Sequence, residues 1–311
     1  MSTIIRVTGL CKQFGNIQAV DDLSFAVNAG DVYGFLGQNG AGKSTTIRML
    51  LTLVKPSSGN IEIFGMDLDR SRKAILEQVG AVIERPDLYK YLSGFENISL
   101  FARMSGRKIP EKKLLRQLEQ VGLAERAHSR VGTYSLGMKQ RLGIAIALVN
   151  DPPLILLDEP TNGLDPQGIA DIRHLILSLS RTEKKTVLVS SHLLSEIELI
   201  ANRMLIIEKG KKVAEGEVTE LFNPAETLVA IRTLNTARTL ELLKRSEYGR
   251  QIEKQEGDMV ILKMHKKDIP SVNRYLVESG AEVLSLEPRH SLEDFFLSLT
   301  SGKRHVDHFT N

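Results

Sequence analysis

Eight consecutive residues, Gly37-Gln38-Asn39-Gly40-Ala41-Gly42-Lys43-Ser44, set glycines at tight-loop spacing ahead of a lysine and a hydroxyl. Glycine lets a backbone curl until successive N–H groups point inward at an anion. A side chain at Gly40 or Gly42 would meet the phosphate or be forced to positive φ. Lys43 then brings a compact positive charge to the β- and γ-phosphates of a nucleotide, Ser44 offers Mg²⁺ a hydroxyl, and Thr45 completes the nucleotide contacts. A second stretch, Leu154-Ile155-Leu156-Leu157-Asp158-Glu159, runs four apolar residues into two carboxylates. Asp158 is suited to orient the metal ion through water, and Glu159 to polarise the water that attacks the γ-phosphate. His192, just past a further apolar run, is a candidate γ-phosphate contact, and Phe14 is a flat surface on which a purine can stack. A glycine-rich surface turn would explain neither the Lys43-Ser44 pair nor the helix-forming residues after it.

Such groups need a scaffold that delivers them to one place. Residues 31–36 read as a buried strand entering the loop and 44–54 as a helix leaving it, ended near Pro56. The helix N-terminus adds partial positive charge where phosphates sit. The run before Asp158 is a strand covered on both faces, as in a parallel sheet, whose C-terminal edge is the usual ligand side. Residues 186–190 are a similar strand beside it. Short apolar runs at 4–7, 19–20 and 23–27 predict antiparallel strands with tight turns. Further strands are expected at 60–64 and 80–83. Helices at 93–104, 110–121 and 136–149 make a helical subdomain of about 85–150. A helix at 171–180 and a hairpin pairing 205–207 with 212–214 close the first domain, 1–219.

Beyond a boundary near 216–224, residues 225–300 alternate strand-like segments (228–231, 259–263, 282–286) with helical ones (236–245, 269–280). That order predicts a small accessory α/β domain, with an amphipathic helix at 291–299 capped by Ser291 and a disordered tail at 301–311. The whole is therefore expected to be α/β.

Composition narrows the function. The 311 residues are 42% hydrophobic and 25% charged, in the ordinary globular range. Forty-one basic against 38 acidic residues leave a net charge of +3, which gives no electrostatic case for nucleic-acid binding. The lone Cys11 allows no internal disulfide and fits a reducing cytoplasm. No apolar run reaches about 18 residues, and the N-terminus lacks a signal-peptide layout, so a membrane role is expected to come through a partner.

With these residues in hand, the chain resembles the ATP-binding subunit of an ABC transporter over about residues 4–216. Tyr134-Ser135-Leu136-Gly137-Met138-Lys139-Gln140-Arg141 is similar to that family's signature. It keeps the serine, the second glycine and the following Lys-Gln-Arg, while Leu136 and Met138 replace a glycine and a glutamine. The resemblance implies a phosphate-loop NTPase fold of ABC type, with a mixed or parallel sheet core and antiparallel β and helical subdomains. It also implies hydrolysis of ATP with Mg²⁺. Phe14 is then similar to the aromatic that stacks on adenine, Glu159 to the catalytic base and His192 to the switch histidine. Asn162–Asp165 looks like the loop that couples two sites. Two copies, or one copy and a related ATPase, would pair head to tail on ATP. Ser135 and Gly137 would face the nucleotide of the partner, and integral permease subunits would hold the pair at the inner membrane face. Glu84 stands where the family usually has glutamine, and the resemblance makes it a candidate Mg²⁺ ligand beside Ser44 and Asp158. Glu84-Arg85-Pro86 and Tyr91–Asn97 resemble the subgroup that exports bacitracin- and lantibiotic-type peptides, which points to efflux of a peptide antibiotic or drug. The rival is a soluble ABC ATPase acting on ribosomes or DNA. Forms acting on ribosomes usually carry two motif sets and DNA-repair forms a long coiled coil; this chain has neither.

Overall fold

A computed structural model describes residues 2–106, 108–221 and 227–289. The chain forms two compact units, Met1–Glu217 and a second that begins at Val218.

In the first unit, β1 (Thr3–Phe14) and β2 (Ile17–Asn28) form one long antiparallel ribbon, turned at Gly15. The ribbon continues through apolar gaps expected to break it, because bulges in β1 absorb the register shifts. β3 (Val32–Leu36) is buried along its whole length and feeds α1 (Lys43–Leu50). That helix stops short of the expected 54, since Thr52 takes a left-handed φ of 58°. β4 (Ser58–Ile63) and β5 (Met66–Asp67) return to the ribbon, giving a sheet in the order β2-β1-β4-β5.

After α2 (Arg72–Leu76) and β6 (Val79–Val82) the chain leaves for a helical subdomain of α3 (Gly94–Met104), α4 (Glu111–Gln120) and α5 (Leu136–Ala147). The α3 entry is set by a capping box, in which Ser93 Oγ accepts from Glu96 N and Glu96 Oε2 from Ser93 N. The backbone hydrogen bond from Ser93 holds the Glu96 carboxyl below its ordinary pKa. Fully buried Asn97 donates to the carbonyls of Tyr89 and Ser93 and accepts from Tyr89 N, which moulds the segment ahead of the helix.

The chain then returns through β7 (Leu154–Leu157), α6 (Pro166–Arg181), β8 (Thr186–Ser191), α7 (Leu194–Ile200), β9 (Arg203–Glu208) and β10 (Lys211–Glu217). The central sheet runs β10-β9-β3-β8-β7-β6, parallel except for β10. One apolar core joins it to the antiparallel sheet through Phe25, Tyr33, Phe35, Ile47 and Leu156. α7 presses so closely on β3 that a Cβ at Gly34 would lie 2.2 Å from Ile197 Cγ2. At the seam Tyr33 donates to Glu215 Oε1 at 2.9 Å, and burial drives its phenol pKa far above the usual value.

The second unit holds α8 (Val218–Leu221), β11 (Thr227–Thr233), α9 (Thr236–Lys244), β12 (Ile252–Glu256), β13 (Met259–Met264), α10 (Ile269–Glu278) and β14 (Val283–Arg289). Its antiparallel sheet has the order β12-β13-β11-β14, and Val229, Ile231, Leu243, Val260, Val272 and Leu276 form its core. The expected helix at 291–299 and the tail lie outside the described residues.

Candidate functional site

β3, β7 and β8 lie side by side and parallel, so their C-terminal ends open on one edge of the central sheet. From β3 the backbone turns through Gly37 to Gly42. Gly40 sits at φ 83° and Gly42, the N-cap of α1, at φ 105°. A Cβ at Gly42 would stand 2.5 Å from Ala19 O, and one at Gly37 would stand 2.6 Å from Ile207 O. Glycine is thus fixed at Gly42 by a neighbouring strand as well as by φ, and at Gly37 by the close approach of β9 alone.

Lys43 is 5% exposed, and its Nζ donates to Gly37 O at 2.6 Å and Gln38 O at 3.2 Å. The same ammonium lies 3.0 Å from Glu159 Oε1. The other carboxylate oxygen, Oε2, is 2.8 Å from His192 Nδ1. Glu159 reaches that position from a left-handed backbone, φ 49°, and its N–H donates to Ser190 Oγ at 2.8 Å. Ser190 in turn donates to Asp158 Oδ1 at 2.6 Å, which leaves fully buried Asp158 Oδ2 without a hydrogen-bond partner. A cavity over the loop is lined by Ala19, Glu159 and loop residues between Gln38 and Thr45, including Asn39 and Ser44.

The structure therefore gathers Lys43, Ser44, Asp158, Glu159 and His192 at one edge. Phe14 ends β1 and is 48% exposed, with Lys12 Nζ 4.8 Å from its ring centroid. Ser135 N-caps α5, accepting from Met138 N at 3.2 Å, and does not line the loop cavity; neither does Gly137. Gly137 stands instead against Gly168 and Leu164, beside the turn that Asp165 closes by capping α6.

Glu84 is the third residue expected at the metal. Its carboxylate pairs with the Arg48 guanidinium on α1, and its side chain is 62% exposed. The reason is local: Glu84 takes φ 54° just past β6 and meets Arg48, whereas the Lys43 ammonium of the phosphate loop is already paired with Glu159. Among the described residues no group of three or more His, Cys, Asp and Glu side chains forms a metal cage.

Three residues here escaped the sequence reading. Ser190 bridges the two carboxylate-bearing positions, Arg48 takes Glu84, and Glu196 on α7 accepts from Thr161 Oγ1 and Ser191 Oγ. The Ser190-Ser191-His192 run ending an apolar strand was the available signal for the first.

Comparison with known proteins agrees with this geometry. The family described as ABC transporter matches residues 20–162. The bacitracin transport ATP-binding protein BcrA of Bacillus licheniformis is 41% identical over 97% of this chain and 99% of its own. The lantibiotic transport ATP-binding protein SrtF of Streptococcus pyogenes is 41% identical over 71% of this chain and 96% of its own. Among solved structures, the dimeric post-hydrolysis state of the cassette MJ0796 bound to ADP and Pi is 26% identical, with a TM-score of 0.63, and covers 69% of this chain and 99% of its own. Identity sustained over nearly the whole length, on a shared cassette fold and around a formed phosphate loop, shows that the chain belongs to the ABC transporter ATP-binding subunits, which are ATPases.

Proposed function

We propose that this chain is the ATP-hydrolysing subunit of an exporter. It works as a pair of copies at the inner face of the cell membrane beneath separate permease subunits, and moves a peptide antibiotic or drug. The observation that carries the reading is the Lys43–Glu159–His192 chain of contacts at 3.0 and 2.8 Å on the edge of the phosphate loop. Lys43 now neutralises Glu159. Phosphate oxygens in the loop would draw that ammonium away and free Oε1 to take a proton from water. His192 Nδ1 stays against Oε2 and fixes the carboxylate's orientation.

A divalent ion fits here by one clear sign, the buried and unpartnered Asp158 Oδ2, with the Ser44 hydroxyl at the loop's end. Mg²⁺ would supply charge neutralisation on the β- and γ-phosphates. Gln38, Asn39, Gly40, Ala41 and Thr45 would contact phosphate mainly through backbone N–H groups, and Phe14 would stack on adenine.

Support for export and for a peptide load comes from the printed roles of BcrA and SrtF. No helix among the described residues is long and apolar enough to cross a membrane, so the permease is taken to be separate. Its docking surface is the segment 84–97, where Tyr91 is 71% and Tyr89 39% exposed with rings 5.9 Å apart. Ser135 and Gly137, outside the loop cavity of their own chain, would meet the nucleotide of the second copy. The deciding experiment is size-exclusion chromatography of Glu159→Gln with Mg·ATP. A dimer is expected; a monomer at saturating ATP would overturn the paired reading. Co-expression with a cognate permease should raise tolerance to a peptide antibiotic, and unchanged tolerance would remove the load while leaving the ATPase.

A further inference from the structure

The two strands that carry Glu159 and His192 are tied a second time, one layer beyond the pair itself. Glu196 Oε2 accepts from Thr161 Oγ1 at 2.7 Å and from Ser191 Oγ at 2.8 Å. Ser191 Oγ also accepts from Leu193 N at 3.0 Å, so the one hydroxyl bound to the Glu196 carboxylate also holds the residue on the far side of His192. Ser191 O meanwhile accepts from Gly37 N at 3.3 Å, the first glycine of the phosphate loop. On the other side Thr161 lies two residues past Glu159 and opens the turn in which Leu164 N donates to Thr161 O. Hydrogen bonds from two hydroxyls to one carboxylate oxygen are charge-assisted, and stronger than neutral ones. Glu196 stands about one turn into α7, whose Ile197 is fully buried against β3, so its backbone is anchored.

We infer that Glu196 is a positioning residue. It locks the exit of β7 to the exit of β8, so that the Thr161–Asp165 turn and His192 move as one piece and His192 Nδ1 keeps its place on Glu159. The inference rests on the hydrolytic reading of Glu159 and His192. It adds that a push on the Thr161–Asp165 turn reaches His192 through two hydroxyls and one carboxylate. Nothing in it requires Glu196 to touch nucleotide.

The test is steady-state and single-turnover hydrolysis of Mg·ATP by the full chain, in a double-mutant cycle with His192→Ala. Glu196→Ala should lower kcat about 10- to 100-fold while KM stays within about twofold, because misplacement slows chemistry without unmaking the phosphate loop. Glu196→Gln keeps an oxygen that can accept both hydroxyls, so it should recover most of the rate. In the His192→Ala background Glu196→Ala should cost less than about twofold more, the mark of two residues acting as one unit. Thr161→Val, close in shape, repeats the cycle should Glu196→Ala fold poorly; a smaller kcat loss, again absent without His192, is expected. Equal losses in both backgrounds, a Gln variant no better than Ala, or a rise in KM matching the fall in kcat would overturn the inference. A wild-type chain that does not hydrolyse Mg·ATP would instead defeat the underlying reading.

Discussion

The phosphate loop and the Tyr134–Arg141 stretch hold the two densest motifs of the chain, and the fold treats them oppositely. Around the loop the charged side chains hold protein partners before any ligand arrives, with only Asp158 Oδ2 left open among the contacts described above: Lys43 with two carbonyls and Glu159, Glu159 with Ser190 and His192, Asp158 Oδ1 with Ser190. Around Ser135 the hydroxyl only caps its own helix and stands exposed, while Tyr134 behind it is buried and donates to Arg126 O at 2.5 Å. The first region is preorganised for charge and gains little by moving. The second has a rigid base and an unfilled front, as expected of a surface completed by a second molecule. On the paired reading proposed above, half a site is finished within one copy, and the other half is only presented.

Removing charge from the finished half should have the largest effect. Lys43→Ala should weaken ATP binding by at least about 100-fold, since it takes a charge-assisted donor from a preformed anion cradle; calorimetry with ATP reads it. Glu159→Gln should keep binding but slow hydrolysis on the order of 100- to 10,000-fold. Equal losses of both would erase the distinction between seat and base.

Blocking the presented half comes next. Gly137→Asp has room to fold, since a Cβ there meets nothing closer than Gly168 Cα at 3.8 Å. It should cut hydrolysis on the order of 100-fold and abolish the ATP-dependent dimer, with ATP affinity of the single chain within about twofold. A matching loss of affinity would mean that Gly137 serves its own copy's site.

A smaller effect is expected at Glu84→Gln. An exposed pair such as Arg48–Glu84 contributes at most about 1 kcal/mol, so the melting temperature should barely move while transport uncouples from hydrolysis. Unchanged transport would reduce Glu84 to a surface carboxylate.

The opposite ends of the same strands give the smallest signal. Lys185 hydrogen-bonds Asp151 before β7 and holds its carboxyl below the ordinary value. Asp151 therefore contributes stability above the unfolded carboxylate pKa of about 3.9, and the contribution disappears as pH falls through the lower folded value. Thermal melts should show wild type above Asp151→Asn near neutrality and the gap closing as pH falls below the ordinary carboxylate range. A gap constant with pH would refute the linkage.

Much of this was legible in the residues because its physics is local. Loop glycines, a lysine followed by a hydroxyl, and an apolar run ending in Asp158 and Glu159 each state their geometry within a few positions. Less was legible where partners lie far apart in sequence. Arg48 meets Glu84 36 positions away, and Thr161 meets Glu196 35 away, so no short window contains either pair. The early end of α1 depended on a left-handed Thr52, a choice no propensity favours. The start of α6 was readable and went unread: Asp165 followed by Pro166 is an N-cap with proline in the first turn.

The tight approach of Gly42 to Ala19 has a consequence for selectivity. Ala19 O would sit 2.5 Å from a Cβ on Gly42 and 2.9 Å from one on Gly210, so β2 is wedged between two backbones without slack. The strand that leads back to Phe14 therefore cannot slide relative to the loop, and on the proposed reading, with Phe14 stacking on adenine, the span from ring to loop would be a fixed gauge. Ligand length, as much as the identity of the base, would then be measured by two hydrogen atoms on two glycines.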